Sequence, residues 1–107
     1  MNHHSDALIQ TWSQMSLPQQ LGNVGSEVSR MIKWRGNDDT IAERAFERML
    51  ELIDLTLQNQ TSGPRLREIA RAREILVQTW QSEVSTDNPA WESLNRYFLQ
   101  FALFGNT

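Results

Sequence analysis

Apolar residues recur at intervals of three and four along most of the chain, and no stretch alternates apolar with polar as a half-buried strand would. That pattern predicts a short lead helix and four longer ones. Leu8, Ile9, Trp12 and Met15 share one face of the lead helix α1, over about residues 5–15, with Ser5 as its cap. Residues 1–4 before it are expected to be disordered. Helix α2 opens at residue 16, where Ser16 and Gln19 fit a capping box and Pro18 falls in the first turn, a place where a missing N–H is harmless. Its stripe is Leu17, Leu21, Val24, Val28, Met31 and Ile32, and Gly36 in Arg35-Gly36-Asn37 supplies the stop. Helix α3 begins at residue 38 or 39 and runs to about 58. Residues 59–63 form a turn, Pro64 opens α4, which runs to about 84, and Pro89 opens α5 after a loop at 85–88. Helix α5 carries Trp91, Leu94, Tyr97, Phe98, Phe101 and Ala102.

Short connections favour antiparallel neighbours. The expected fold is therefore all-α: an antiparallel up-down four-helix bundle over residues 16–107, preceded by an N-terminal arm, residues 1–15, that carries the short amphipathic helix. Apolar residues of α3 (Ile41, Ala42, Ala45, Phe46, Met49, Leu50, Leu52, Ile53, Leu55, Leu57) span an arc wider than the roughly 100° of a surface helix, so α3 is either the most buried helix or part of a subunit interface. Charge adds a register. Acidic residues near the end of α3 and arginines near the start of α4 each oppose their helix dipole. Folding the pair about Thr61 sets Asp54 beside Arg67, Glu51 beside Arg71 and Arg48 beside Glu74, so that each end neutralises the other.

Three departures from a simple bundle pattern mark candidate sites. Gly22, Gly25, Ser26 and Ser29 fall on one strip of α2 beside its apolar stripe, although glycine costs roughly 1 kcal/mol against alanine within a helix. Such a strip lets a neighbouring backbone come close, either for packing inside the bundle or as a groove admitting a ligand or partner helix. Arg73 lies in the middle of the apolar stripe of α4 (Leu66, Ile69, Ala70, Leu76, Val77, Trp80). A buried, unpaired charge is too costly to persist, and Glu27 on the flank of α2 is the preferred carboxylate, with a rim position or an anion site as alternatives. Finally, an up-down order brings Trp34, Trp80 and Trp91 to one end with Ile41 and Arg44, as an aromatic plug or as a patch for a ligand or partner.

Composition narrows the chemistry. The 107 residues contain no cysteine, which excludes disulfides, thiolate catalysis and Cys-based zinc sites. A net charge of −3, with nine arginines and a single lysine among the basic residues, gives no reason to expect nucleic acid. The arginines of α4 are interleaved with Glu68 and Glu74, as intramolecular pairing requires. His3 and His4 sit on a terminus without supporting ligands, and no other histidine is present for acid–base work. Neither a Glu-x-x-His motif nor a phosphate-binding glycine loop after a strand occurs. No catalytic residue, metal site or cofactor is expected, and no enzyme acting alone. No apolar run long enough for a bilayer and no signal-peptide pattern is seen, so membrane association is not expected and a cytoplasmic location is.

The run Leu17-Pro18-Gln19-Gln20-Leu21-Gly22-Asn23-Val24-Gly25-Ser26-Glu27-Val28 resembles a family of small uncharacterised prokaryotic helical-bundle proteins of unknown function. So do Ala45-Phe46-Glu47-Arg48, Leu52-Ile53-Asp54-Leu55-Thr56, Arg71-Ala72-Arg73-Glu74 and Tyr97-Phe98-Leu99-Gln100-Phe101-Ala102, and the likeness covers about residues 16–104. It implies a helical bundle and no particular activity. The architecture also resembles helical companions of minimal nucleotidyltransferases and related toxin ribonucleases, but the ribonuclease signature, an arginine followed a few residues later by histidine, has no match. Two functions are carried forward. The first is a non-enzymatic bundle acting by self-association, most simply a homodimer, or by protein–protein interaction. The second is a small-molecule- or nucleotide-binding accessory subunit, with Arg73, Arg44 and the tryptophans lining its pocket.

Overall fold

Ser16 starts α2 by accepting a hydrogen bond from the Gln19 amide (3.2 Å), while the Gln19 side chain accepts from the Ser16 amide (2.9 Å), a complete capping box. The computed structural model describes residues 6–59, 63–82 and 87–104, with side chains through Phe101. Within them are five helices and no strand: α1 Asp6–Gln14, α2 Leu17–Trp34, α3 Asp39–Gln58, α4 Pro64–Gln81 and α5 Pro89–Phe104. The Ser5 cap, His3 and His4, and the expected disorder of residues 1–4 lie outside the described residues. Asp38 caps α3 through its carboxylate, which accepts from the Thr40 and Ile41 amides. Between α2 and α3 the chain turns at Gly36, whose φ of 85° suits glycine. Helix α4 ends at Gln81, short of residue 84, with the Ser82 amide closing on the Gln78 carbonyl. None of the described helices is long and apolar enough to cross a membrane.

Helix α2 is the centre of the fold. It packs most extensively on α3 and α5, whereas α4 touches α3 and α5 more lightly and α1 rests on α3. Leu21, Val24, Val28 and Met31 of α2 are fully buried, together with Met49, Ile53, Ile69, Leu76, Trp91 and Phe98 from the other long helices. The wide apolar arc of α3 is used within the chain, because α1, α2 and α4 cover it from three sides. Ile9 and Leu99 are the large apolar side chains left exposed among the described residues (43% and 48%), and neither is on α3. The wide arc thus reflects burial inside the bundle, where α2 and α3 are the two central helices.

The register expected from charge is not the one observed. Arg48 pairs with Glu51, Arg65 with Glu68 and Arg71 with Glu74, each along its own helix. Asp54 meets Arg73, not Arg67. The Phe46–Trp80 ring stack lies in the same register, eight residues back along α3 and seven forward along α4. Magnitudes explain the outcome. An exposed ion pair is worth about 0–1 kcal/mol, and partners one turn away satisfy it locally. Each fully buried apolar side chain contributes about 1.5–3 kcal/mol, so Ile69, Leu76 and the aromatic stack set the register.

Candidate functional site

The residues singled out in the sequence divide among four places. The first is the α2–α5 seam. Gly25 is buried, and a Cβ built on it would lie 2.8 Å from the Phe98 Cβ and 3.3 Å from the Phe98 carbonyl carbon. Ser29 crosses the same seam, its Oγ donating to Asn95 Oδ1 at 2.6 Å. Ser26 is exposed and donates to the Gly22 carbonyl on its own helix (3.2 Å), and Gly22 is half-buried. At Gly25 and Ser29 the strip is filled by α5, which leaves no groove there for a ligand.

The second place is the α3–α4 flank. Arg73 Nε donates to Asp54 Oδ1 at 2.7 Å, and Nη2 reaches Oδ2 at 3.4 Å, with about a third of each side chain exposed. Glu27 is not its partner. The helix neighbouring α4 on this side is α3, so a carboxylate on α3 reaches Arg73 and one on α2 does not. The pair is a partly solvated forked bridge and not a buried charge, which limits its worth to roughly 1 kcal/mol.

At the tryptophan end, Trp91 is fully buried and Trp80 half-buried. The cation that joins them is Arg35, not Arg44. Its guanidinium carbon lies 4.5 Å from the Trp80 ring centroid and 5.4 Å from that of Trp91, and Nη2 donates to the Trp80 carbonyl at 3.1 Å. Trp80 also stacks on Phe46, with centroids 4.5 Å apart. Among the described residues Trp34 makes no ring contact with either; it lies under the Lys33 ammonium, 5.4 Å away. Sequence reasoning missed Arg35 because it stands in the helix stop, and its direction follows from the extended backbone at that cap (φ −61°, ψ 125°). Arg44 and Ile41 belong instead to a cavity between α2 and α3, shared with Glu27, Arg30, Ala45 and Arg48. Arg73, Arg44 and the tryptophans therefore face three different places and form no common pocket.

A fourth place was not foreseen. Small residues face each other between α4 and α5, and the space they leave is a groove of about 340 Å³. Ala72, Ile75, Ala90 and Leu94 give it an apolar floor, while Glu68, Arg71, Ser93 and Tyr97 form its rim. Tyr97 spans the two helices by donating its hydroxyl proton to Glu68 Oε1. Burial first, then the hydrogen bond to Glu68 and the charge of Glu68, hold the Tyr97 hydroxyl well above its ordinary value of 10.0, with Arg65 acting in the opposite sense. In the unfolded chain the same group ionises near pH 10, so its contribution to stability is complete below that pH and is lost as pH rises towards the folded value. Melting temperature is accordingly expected to fall more steeply above pH 10 in the native protein than in Tyr97→Phe. Tyr97 is the single tyrosine, so absorbance titration of tyrosinate reads the shift directly. Ionisation at the ordinary value in the folded protein is the contrary result.

No known protein family, curated protein or solved structure matches this chain. The class defined by its fold is an all-helical protein.

Proposed function

We propose that the protein is a cytoplasmic, non-enzymatic helical bundle in antiparallel up-down order that acts by binding protein surface, with the α4–α5 groove as its docking face and a second copy of the chain as the occupant. The antiparallel order is supported by cross-helix pairs that run in opposite chain directions: Gly25 at Phe98 with Ser29 at Asn95, and Phe46 at Trp80 with Asp54 at Arg73. The observation that carries the docking face is the apolar floor of the groove inside a polar rim, the anatomy of a protein interface. Self-pairing is supported by the rim itself. A two-fold axis through the groove sets the Glu68–Arg71 edge of one chain against the same edge of the other, and that edge carries both signs of charge.

Light scattering behind size exclusion tests this. The mass of the native protein is expected to double from low to high concentration. Ala90→Glu is expected to stay monomeric at every concentration with helicity unchanged, since a carboxylate in the first turn of α5 suits the helix dipole while blocking the floor. A native monomer throughout, or a dimer indifferent to Ala90→Glu, would overturn the reading.

A further inference from the structure

We infer that the α2–α3 cavity is a binding site for a small phosphate-bearing molecule, distinct from the proposed docking face. The cavity has a volume of about 410 Å³ and an apolar base at Ile41 and Ala45. Two helices deliver its charges at helical spacing. Glu27 and Arg30 stand one turn apart on α2, Arg44 and Arg48 one turn apart on α3, and all four line the same space. Elsewhere on the molecule Arg65, Arg71, Arg73 and Arg96 have carboxylates, and Arg35 lies over the tryptophans. Arg30 and Arg44 make no ion pair among the described residues, although a carboxylate shares their cavity. Arg48 pairs with Glu51 on its own helix.

Two uncommitted guanidiniums and a third at the edge match the several oxygens of a phosphate, which forked N–H donors bind in pairs. With Arg48 already paired to Glu51, Arg30 and Arg44 against Glu27 leave the lining net cationic by one charge, suited to an anionic group. Glu27 supplies the complement. Its Oε2 is buried without a hydrogen-bond partner among the described residues, so the Glu27 carboxylate keeps unused acceptor capacity beside the arginines of the cavity it lines. A ligand that satisfies both features carries phosphate at one end and an amino or hydroxyl donor at the other.

Titration calorimetry at constant ionic strength, with inorganic pyrophosphate and phosphoethanolamine as probes, tests the site. Both are expected to bind saturably at one site per chain. Arg30→Gln and Arg44→Gln are each expected to weaken both probes by about tenfold, the loss of one charge-assisted contact. Both side chains are exposed, so folding should be retained, and circular dichroism verifies it. Glu27→Gln separates the roles, because it removes an anionic acceptor: pyrophosphate should bind more tightly and phosphoethanolamine more weakly. Absence of saturable binding of either probe at millimolar concentration, or binding indifferent to both arginine substitutions, overturns the assignment. An unchanged ratio of the two probes in Glu27→Gln overturns the role of Glu27.

Discussion

Gly25→Leu is expected to open the seam between α2 and α5 and to lower the melting temperature by roughly 10–20 °C, the equivalent of about 3 kcal/mol in a domain of this size. The first added atom already determines the sign. A Cβ at position 25 would stand 2.8 Å from the Phe98 Cβ and 3.3–3.4 Å from its carbonyl group. None of these atoms is the far end of a flexible side chain, and Phe98 is fully buried, so relief requires α5 to move away from α2. Gly25→Ala is therefore expected to destabilise as well, even though alanine gains about 1 kcal/mol of helix propensity over glycine. Thermal melts of the two variants, followed by circular dichroism, measure both effects. A Gly25→Ala protein as stable as the native one would show that α5 yields without cost and that the seam is not tightly packed.

Trp12→Ala is expected to cost about 3–5 kcal/mol and to release α1 from the bundle. Trp12 is 4% exposed and anchors α1 to α3. Its indole Nε1 donates to Thr56 Oγ1 at 3.0 Å, and Thr56 in turn donates to the Leu52 carbonyl at 3.0 Å. From α2, Gln20 Nε2 donates to the Trp12 carbonyl (2.8 Å) and reaches the Met15 carbonyl (3.3 Å), fixing the passage from α1 into α2. Loss of the indole removes the apolar anchor and the hydrogen bond together. Trp12→Phe keeps most of the apolar contact and gives up the hydrogen bond, worth about 1 kcal/mol, so it should fall between native and Trp12→Ala. Amide hydrogen exchange over residues 6–14 supplies the second readout: α1 should be protected in the native protein and unprotected in Trp12→Ala. Retained protection there would mean that α1 is held by contacts other than its tryptophan.

These two positions show how unevenly the sequence could be read. Gly25 stood out because glycine within an apolar helical pattern is unfavourable unless a neighbour needs the space, and the neighbour proved to be Phe98. Trp12 was recognised as apolar, but its polar partners were not. Thr56 and Gln20 sit among apolar positions, where a polar residue signals a buried hydrogen bond, and that signal was available. Which indole or carbonyl they meet was not, since the partner of Thr56 is on another helix 44 residues away.

The candidate sites divide along the same line. Arg73 was legible as a charge needing a carboxylate, and its partner depended on which helix adjoins α4. The tryptophan end was half legible: Trp80 and Trp91 meet through Arg35, while Trp34 and Arg44 turn elsewhere. Neither the α4–α5 groove nor the α2–α3 cavity was visible along the chain. A groove is the space between two elements, and no residue in sequence encodes the gap across from it.

By itself the sequence determined that the chain is helical and, except at the end of α4, where the described helices start and stop. Those are local matters, governed by a 3.6-residue period, a serine–glutamine capping box, an aspartate cap, prolines in first turns and a glycine at positive φ. Tertiary structure alone decided which faces meet. Burial of Ile69 and Leu76 and the stacking of Phe46 on Trp80 outweigh surface charge pairs by a few kcal/mol, so packing slid α4 along α3, gave Arg73 to Asp54, and left Arg44 of α3 facing Glu27 and Arg30 of α2 across an open cavity.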